Sequence, residues 1–257
     1  MKIVLIGSGN VATHLGPALK KSGHSILQVF GRTAPHVSLL AKKLKCDYAT
    51  NPELLNPKAD FYLIALRDEV IPDVLPYISN KKALVAHTSG SVSVNVFPRE
   101  FEHAGVAYPL QTFSLTRQLK VNDIPFCLEV RSPATKNKLL RAIRSLSTHL
   151  HWLNSDQRKI LHLSAVFANN FSNHMFVIAE ELLKKNNLSF DILRPLIQET
   201  ATKIRNHPPS AMQTGPARRG DSETIEKHLN LLLQYPEYAS IYSLITKSIE
   251  KHSGPLL

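Results

Sequence analysis

The 257-residue sequence predicts an α/β protein in two parts: a mostly parallel sheet of βαβ units over residues 1–153, then an all-helical region over 154–257. Three observations predict it. Short β-rich runs alternate with helical stretches as far as Leu153, the strand signal stops at Asn154, and a glycine turn, GSGNVA, stands between the first run and the first helical stretch. The runs read as strands are 2–6, 25–30, 60–66, 83–87, 106–108, 126–130 and a short 151–153. A helix over 10–22 ends at Gly23, which suits a left-handed cap. Apolar periodicity then predicts a long helix from Ser155 to about Lys185 and another from Phe190 to about Arg205. Two more follow, over 222–233 with Asp221 as N-cap and from Pro236 to about His252.

Composition narrows the function. At 43% hydrophobic residues the chain can bury a sizeable core, so a disordered tail is excluded. Cys46 and Cys127 are too few for a disulfide framework and read as reduced fillers. MKIVLIG has no cleavage site, and nowhere do eighteen apolar residues run together, so the cytoplasm is expected and a membrane partner is not. The net charge of +11 would suit nucleic acid, but the lysines fall in scattered pairs such as Lys20-Lys21 and Lys184-Lys185 rather than on one continuous face. Nucleic-acid binding is therefore not expected. An anionic substrate or a phosphate-rich cofactor uses such charge instead.

Gly7, Gly9 and Ala12 have the G-x-G-x-x-A spacing directly after a strand and opening a helix, the context in which the motif means dinucleotide binding in a Rossmann fold. Gly7 allows the tight turn, Gly9 lets the backbone approach a pyrophosphate, and Ala12 keeps the helix close to the sheet. Ser8, Asn10 and Val11 complete the phosphate-facing turn. An NAD site would place a carboxylate after the second strand; there is none from Ser25 to Cys46. Arg32 and Thr33 stand there instead, a bidentate donor and a hydroxyl suited to a 2′-phosphate, which favours NADP.

HLSAVFANNFSNHM places two histidines and three asparagines early in a long apolar run. At about 100° per residue, His162, Asn169 and Asn173 fall within roughly 40° of one another, with Val166 on the same stripe. Such a stripe is either satisfied by neighbouring helices or forms the wall of a substrate pocket. On the second reading His162 is the candidate acid, being a side chain that exchanges a proton near neutral pH, and Asn169 and Asn170 fix a carbonyl or carboxylate. Thr88, Ser89 and Gly90 follow a strand at the edge where parallel sheets bind ligands, Leu66 and Arg67 do the same one strand earlier, and Gln111 and Thr112 approach the same cleft. In the helical part Gly215, Pro216 and Gly220 shape a loop from which Arg218 and Arg219 could clamp an anionic group. No metal-ligating set is expected.

GSGNVA at residue 7, GRT at 31, HTSGS at 87, PLQTF at 109 and GPARRGD at 215 together resemble an uncharacterised family of Rossmann-like oxidoreductases with a C-terminal domain of unknown function. That family is related to the pyrroline-5-carboxylate reductases, ketopantoate reductases, 6-phosphogluconate dehydrogenase-like enzymes and deazaflavin-linked NADP oxidoreductases. The resemblance covers nearly the whole chain. It implies an NADP-binding N-terminal domain, a helical domain that forms a homodimer, and hydride transfer to or from a small, anionic carbonyl or imine compound. The alternative is a protein that holds NADP without turnover. Two departures matter: Val166 stands where β-hydroxyacid dehydrogenases carry a catalytic lysine, and Tyr108 stands where relatives commonly show histidine before the proline. Lys159, nearly two turns earlier, has the wrong spacing to replace that lysine and reads as a surface residue.

Overall fold

A computed structural model describes residues 1–117 and 119–252. Its strands are β1 (Lys2–Ile6), β2 (Ser25–Phe30), β3 (Asp47–Ala49), β4 (Phe61–Ile64), β5 (Leu84–His87), β6 (His103–Pro109), β7 (Phe126–Val130) and β8 (Leu150–Trp152). They form one sheet in the order β3-β2-β1-β4-β5-β6-β7-β8, parallel except for the β6/β7 pair. The strand order reverses at β1 and β4, the place where an open parallel sheet leaves a crevice at its carboxyl edge. Two strand expectations change. β3 was not anticipated, because Asp-Tyr-Ala has no alternation of its own and pairs at the sheet edge with β2. β6 extends past 106–108 in both directions, since its register with β7 runs from Gly105 to Pro109.

The helices of the first part are α1 (Asn10–Lys21), α2 (Ala34–Leu44), the short α3 (Ile71–Val74) and α4 (Pro133–Arg144). Alternate residues of the strands feed two apolar layers, one on each side of the sheet. Ile3, Leu5, Val29, Leu63 and Phe126 pack under Leu15, Leu19, Leu40 and Leu139 of α1, α2 and α4. Val4, Ile6, Tyr62, Ile64 and Val85 pack on the other side with Ile71, Ile78, Phe97 and Phe101.

The predicted long helix is three pieces: α5 (Ser155–Ala165), a π-helical turn over Val166–Phe171, and α6 (Ser172–Lys185). The wider turn breaks the uniform 100° step, so a stripe projected from His162 to Asn173 does not hold across it. Contacts divide the chain into compact units at 1–170 and from Phe171 onward, so the first helix goes with the sheet rather than beginning the helical part at 154. The cause is Arg158. Its side chain is fully buried, paired with Glu129 of β7 and bonded to the carbonyl of Val92, while Ser155 donates to the same carboxylate at 2.9 Å.

The second unit adds a 3-10 turn (Phe190–Leu193), α7 (Arg194–Lys203), α8 (Pro216–Arg219), α9 (Ser222–Leu231) and α10 (Pro236–His252). The expected loop at Gly215 to Gly220 is in part the single-turn α8, ended by Gly220 at φ 68°. Asp221 caps α9 as expected, accepting from the Thr224 amide at 3.1 Å. Among its described residues this unit buries only Ala217, Leu232 and Thr246, while Leu196, Leu231, Leu233 and Leu244 are more than 60% exposed. Residues 253–257 of the expected helical region lie outside the described residues. No described helix is long and apolar enough to cross a membrane.

Candidate active site

The turn between β1 and α1 admits only glycine at its start. Gly7 has φ 129°, and a Cβ there would sit 2.2 Å from the carbonyl oxygen of Ala65. At Gly9, the N-cap of α1, the space is open and no side chain caps the helix. The first turn carries no acidic residue, and the first helical bond runs from the Thr13 amide to the Gly9 carbonyl. The preceding amides thus meet no capping group, and an uncapped helix start without carboxylates is a seat for phosphate. Asn10 does not cap; its amide donates to the Phe113 carbonyl at 2.8 Å, and His14 Nε2 donates to the Ser114 carbonyl at 2.9 Å. The PLQTF loop therefore hangs on the same helix end.

At the end of β2, a Cβ on Gly31 would meet Val37 at 2.8 Å and the Ser8 hydroxyl at 3.2 Å, so the two phosphate-facing turns are in contact. Arg32 is exposed and, among the described residues, makes no ion pair. Thr33 precedes α2 without a side-chain capping bond, and the first turn of α2 has no acid. A free guanidinium, a free hydroxyl and an uncapped helix start fit a 2′-phosphate.

The loop after β5 behaves differently from the expectation. Thr88 and Ser89 are buried; the Thr88 hydroxyl donates to the Ile64 carbonyl, and the Ser89 hydroxyl accepts the amides of Ser91 and Val92 at 3.1 and 3.0 Å. These hydroxyls shape the loop. Ser91 donates to Asp68, and Arg67 pairs with Glu69 at 3.2 Å out in solvent. His87 beneath is fully buried, stacked on Phe97, and accepts the Ser89 amide on Nδ1. Burial, with the nearby Arg158 charge, pushes its pKa down to about 4, so the ring is neutral.

Within the first unit a cavity of about 670 Å³ begins at Asn10 and Val11 of α1. Tyr108, Leu110, Gln111, Thr112 and Phe113 form one wall; Leu161, His162, Val166, Asn169 and Asn170 form the other. The π turn is what presents Asn169 and Asn170 together. The lining has neither lysine nor arginine. His162 Nδ1 lies 3.0 Å from the Tyr108 hydroxyl, the two rings meet edge to face, and a Cβ on Gly90 would fall 2.8 Å from the His162 ring. Burial, and secondarily Cys127 across the β6/β7 pair, hold the Tyr108 phenol above its ordinary pKa.

The structure thus brings Asn10, Val11, Gln111, Thr112, His162, Asn169 and Asn170 around one cavity. Asn173 lies in the second unit, on a groove with Phe176 and Arg194. Arg218 and Arg219 are also in the second unit, on α8, where Arg219 lies 3.7 Å from Asp221. Gly90 gives room to the His162 ring. Sequence reasoning left open whether the Tyr108 phenol takes over the role of the relatives' histidine, and it missed Arg158, whose only local signal is a cation in the first turn of an otherwise amphipathic helix.

Residues 2–90 match the family described as NADP oxidoreductase, coenzyme F420-dependent, and residues 124–249 match a domain of unknown function, DUF2520. A Bacteroides fragilis protein provisionally assigned as an NADP oxidoreductase is 42% identical over 97% of this chain and 98% of its own, with a TM-score of 0.92. The chain belongs to that NADP oxidoreductase family. Family members share the two-part layout, and the fold extends further. A Thermotoga maritima protein is 20% identical, covering 98% of this chain and 100% of its own, with a TM-score of 0.82. The Myxococcus stipitatus imine reductase, solved with NADP+, is 14% identical over 98% of this chain and 92% of its own, with a TM-score of 0.66. These last two show likeness of fold. No curated protein matches the chain.

Proposed function

We propose that this chain is an NADP-dependent oxidoreductase that moves a hydride between NADP(H) and a small carbonyl or imine compound. The observation that carries the reading is the continuity of the first unit: the uncapped start of α1, beside Arg32 and Thr33, opens at Asn10 and Val11 into the cavity that ends at His162. The amides at the start of α1 bind the pyrophosphate, and Arg32 and Thr33 bind the 2′-phosphate. NADPH, when bound, supplies the hydride. His162 offers a proton to the oxygen or nitrogen that gains electron density, and Gln111, Thr112, Asn169 and Asn170 orient the compound by amide and hydroxyl bonds. A carboxylate on the substrate would be met there by amide N–H groups rather than by a fixed cation.

The imine reductase of similar fold supports imines as one substrate class to test first. Free Cys46 and Cys127 suit the reducing cytoplasm. The bare apolar side chains of the second unit support a homodimer built through its helices. Val166 at the lysine position favours one other reading, a protein that binds NADP without turnover. Fluorescence titration with NADPH and NADH, followed by NADPH oxidation assays against 2-oxo acids and cyclic imines, separates the two. Tight, NADPH-selective binding with turnover is expected; binding with no turnover on either class turns the assignment to the second reading, and no binding removes both.

A further inference from the structure

We propose that Tyr108 is the positioning residue of His162: its hydroxyl on Nδ1, together with the bare Cα of Gly90, fixes the imidazole so that Nε2 carries the proton offered to the cavity. This rests on the reading of His162 as the proton donor. Three contacts hold the ring. Tyr108 Oη lies 3.0 Å from Nδ1, the two rings stand edge to face with their planes at 84°, and a Cβ on residue 90 would be only 2.8 Å from both Cγ and Nδ1. Turning the ring away from this orientation breaks the bond to Tyr108.

A phenol is the right partner because it can take either part but is the better donor, so a neutral ring is held with Nδ1 unprotonated. Toward a neutral ring Tyr108 donates to Nδ1, and the ring proton is left on Nε2. Toward an imidazolium the hydroxyl accepts from Nδ1–H, and Nε2 still carries a proton. When the imidazolium acts, the Nε2–H bond breaks and a new O–H or N–H bond forms on the substrate. The ring is left for the moment with Nδ1–H on the tyrosine oxygen, and a proton from water on Nε2 restores the imidazolium. Tyr108 itself remains a phenol throughout, consistent with its half-buried place on β6 opposite Cys127, which raises its pKa. A carboxylate at residue 108 would fix the ring as well but would add a charge to a cavity whose described lining holds no lysine or arginine to balance it.

The test is long-range proton–nitrogen NMR on protein labelled with ¹⁵N-histidine, for the full chain and for Tyr108→Phe, an isosteric change that keeps the packing. The full chain should show neutral His162 as a single Nε2–H form, and Tyr108→Phe should show the averaged signals of a mixture of both forms. In parallel, Tyr108→Phe should lower kcat on the order of tenfold or more with the Kd for NADPH unchanged. Identical nitrogen spectra for the two proteins overturn the proposal, whether or not the chain reduces anything. Because the spectra are taken on the protein alone, a locked ring that Tyr108→Phe releases, in a chain that oxidises no NADPH, would sustain the positioning role while removing the reductase reading.

Discussion

Arg32 carries the discrimination between nucleotides, because among the described residues no ion pair competes for its guanidinium and no acid stands near the start of α2. Arg32→Ala should weaken NADPH by about 2 kcal/mol and leave NADH nearly untouched, read by paired titrations; equal losses for both would remove the 2′-phosphate assignment. His87 sets a pH limit on the fold. Its pKa is about 4 in the folded chain against 6.5 for a free histidine, so as pH falls the unfolded state takes up a proton first. Stability is therefore whole above pH 6.5 and declines toward pH 4, with no further loss from this ring below that. The loss amounts to roughly 3 kcal/mol at most and should appear in urea unfolding compared at about pH 7.5 and about pH 4.5. His87→Phe, which keeps the stack on Phe97, should flatten that slope; an unchanged slope would mean other groups set it. Gly90→Ala should cost on the order of 1–3 kcal/mol by forcing His162 out of its seat. The glycine motif and Arg32 were legible because each needs only its immediate neighbours. Gly90 was legible as a glycine that matters, but its closeness to His162 was not, since that partner lies far along the chain.

At the scale of elements, the join between α5 and the sheet depends on one buried ion pair. Removing the acid strands the Arg158 charge where water cannot reach it, so Glu129→Ala should lose roughly 3–5 kcal/mol, seen as a lower denaturation midpoint. A loss under about 1 kcal/mol would show that the pair is dispensable. The start of the same helix is fixed locally: Asn154 accepts the Gln157 amide at 2.9 Å while Gln157 accepts the Asn154 amide at 3.0 Å. Caps of this kind can be read from sequence, and Asp221 was. The π turn over Val166–Phe171 could not be, because its apolar pattern also fits an α-helix. Asn169 and Asn170 line the cavity of the first unit, and Asn173 falls in the second unit. β3 escaped for a similar reason: three residues acquire strand geometry only by lying along β2.

Across the whole molecule, the division of labour was legible and its seam was not. The loss of strand signal at Asn154 marks where sheet building ends, whereas the compact units part at residue 170, with buried Arg158 tying α5 to β7. Sedimentation should find a species twice the 28.7 kDa chain mass at micromolar concentration, and a strict monomer would leave the second unit's exposed leucines without a cover. Those leucines have a further consequence. A helical unit that buries three described residues has almost nothing of its own to melt, so its heat tolerance should rise with protein concentration and fall on dilution. How many copies a cell makes would then help decide whether any one of them survives.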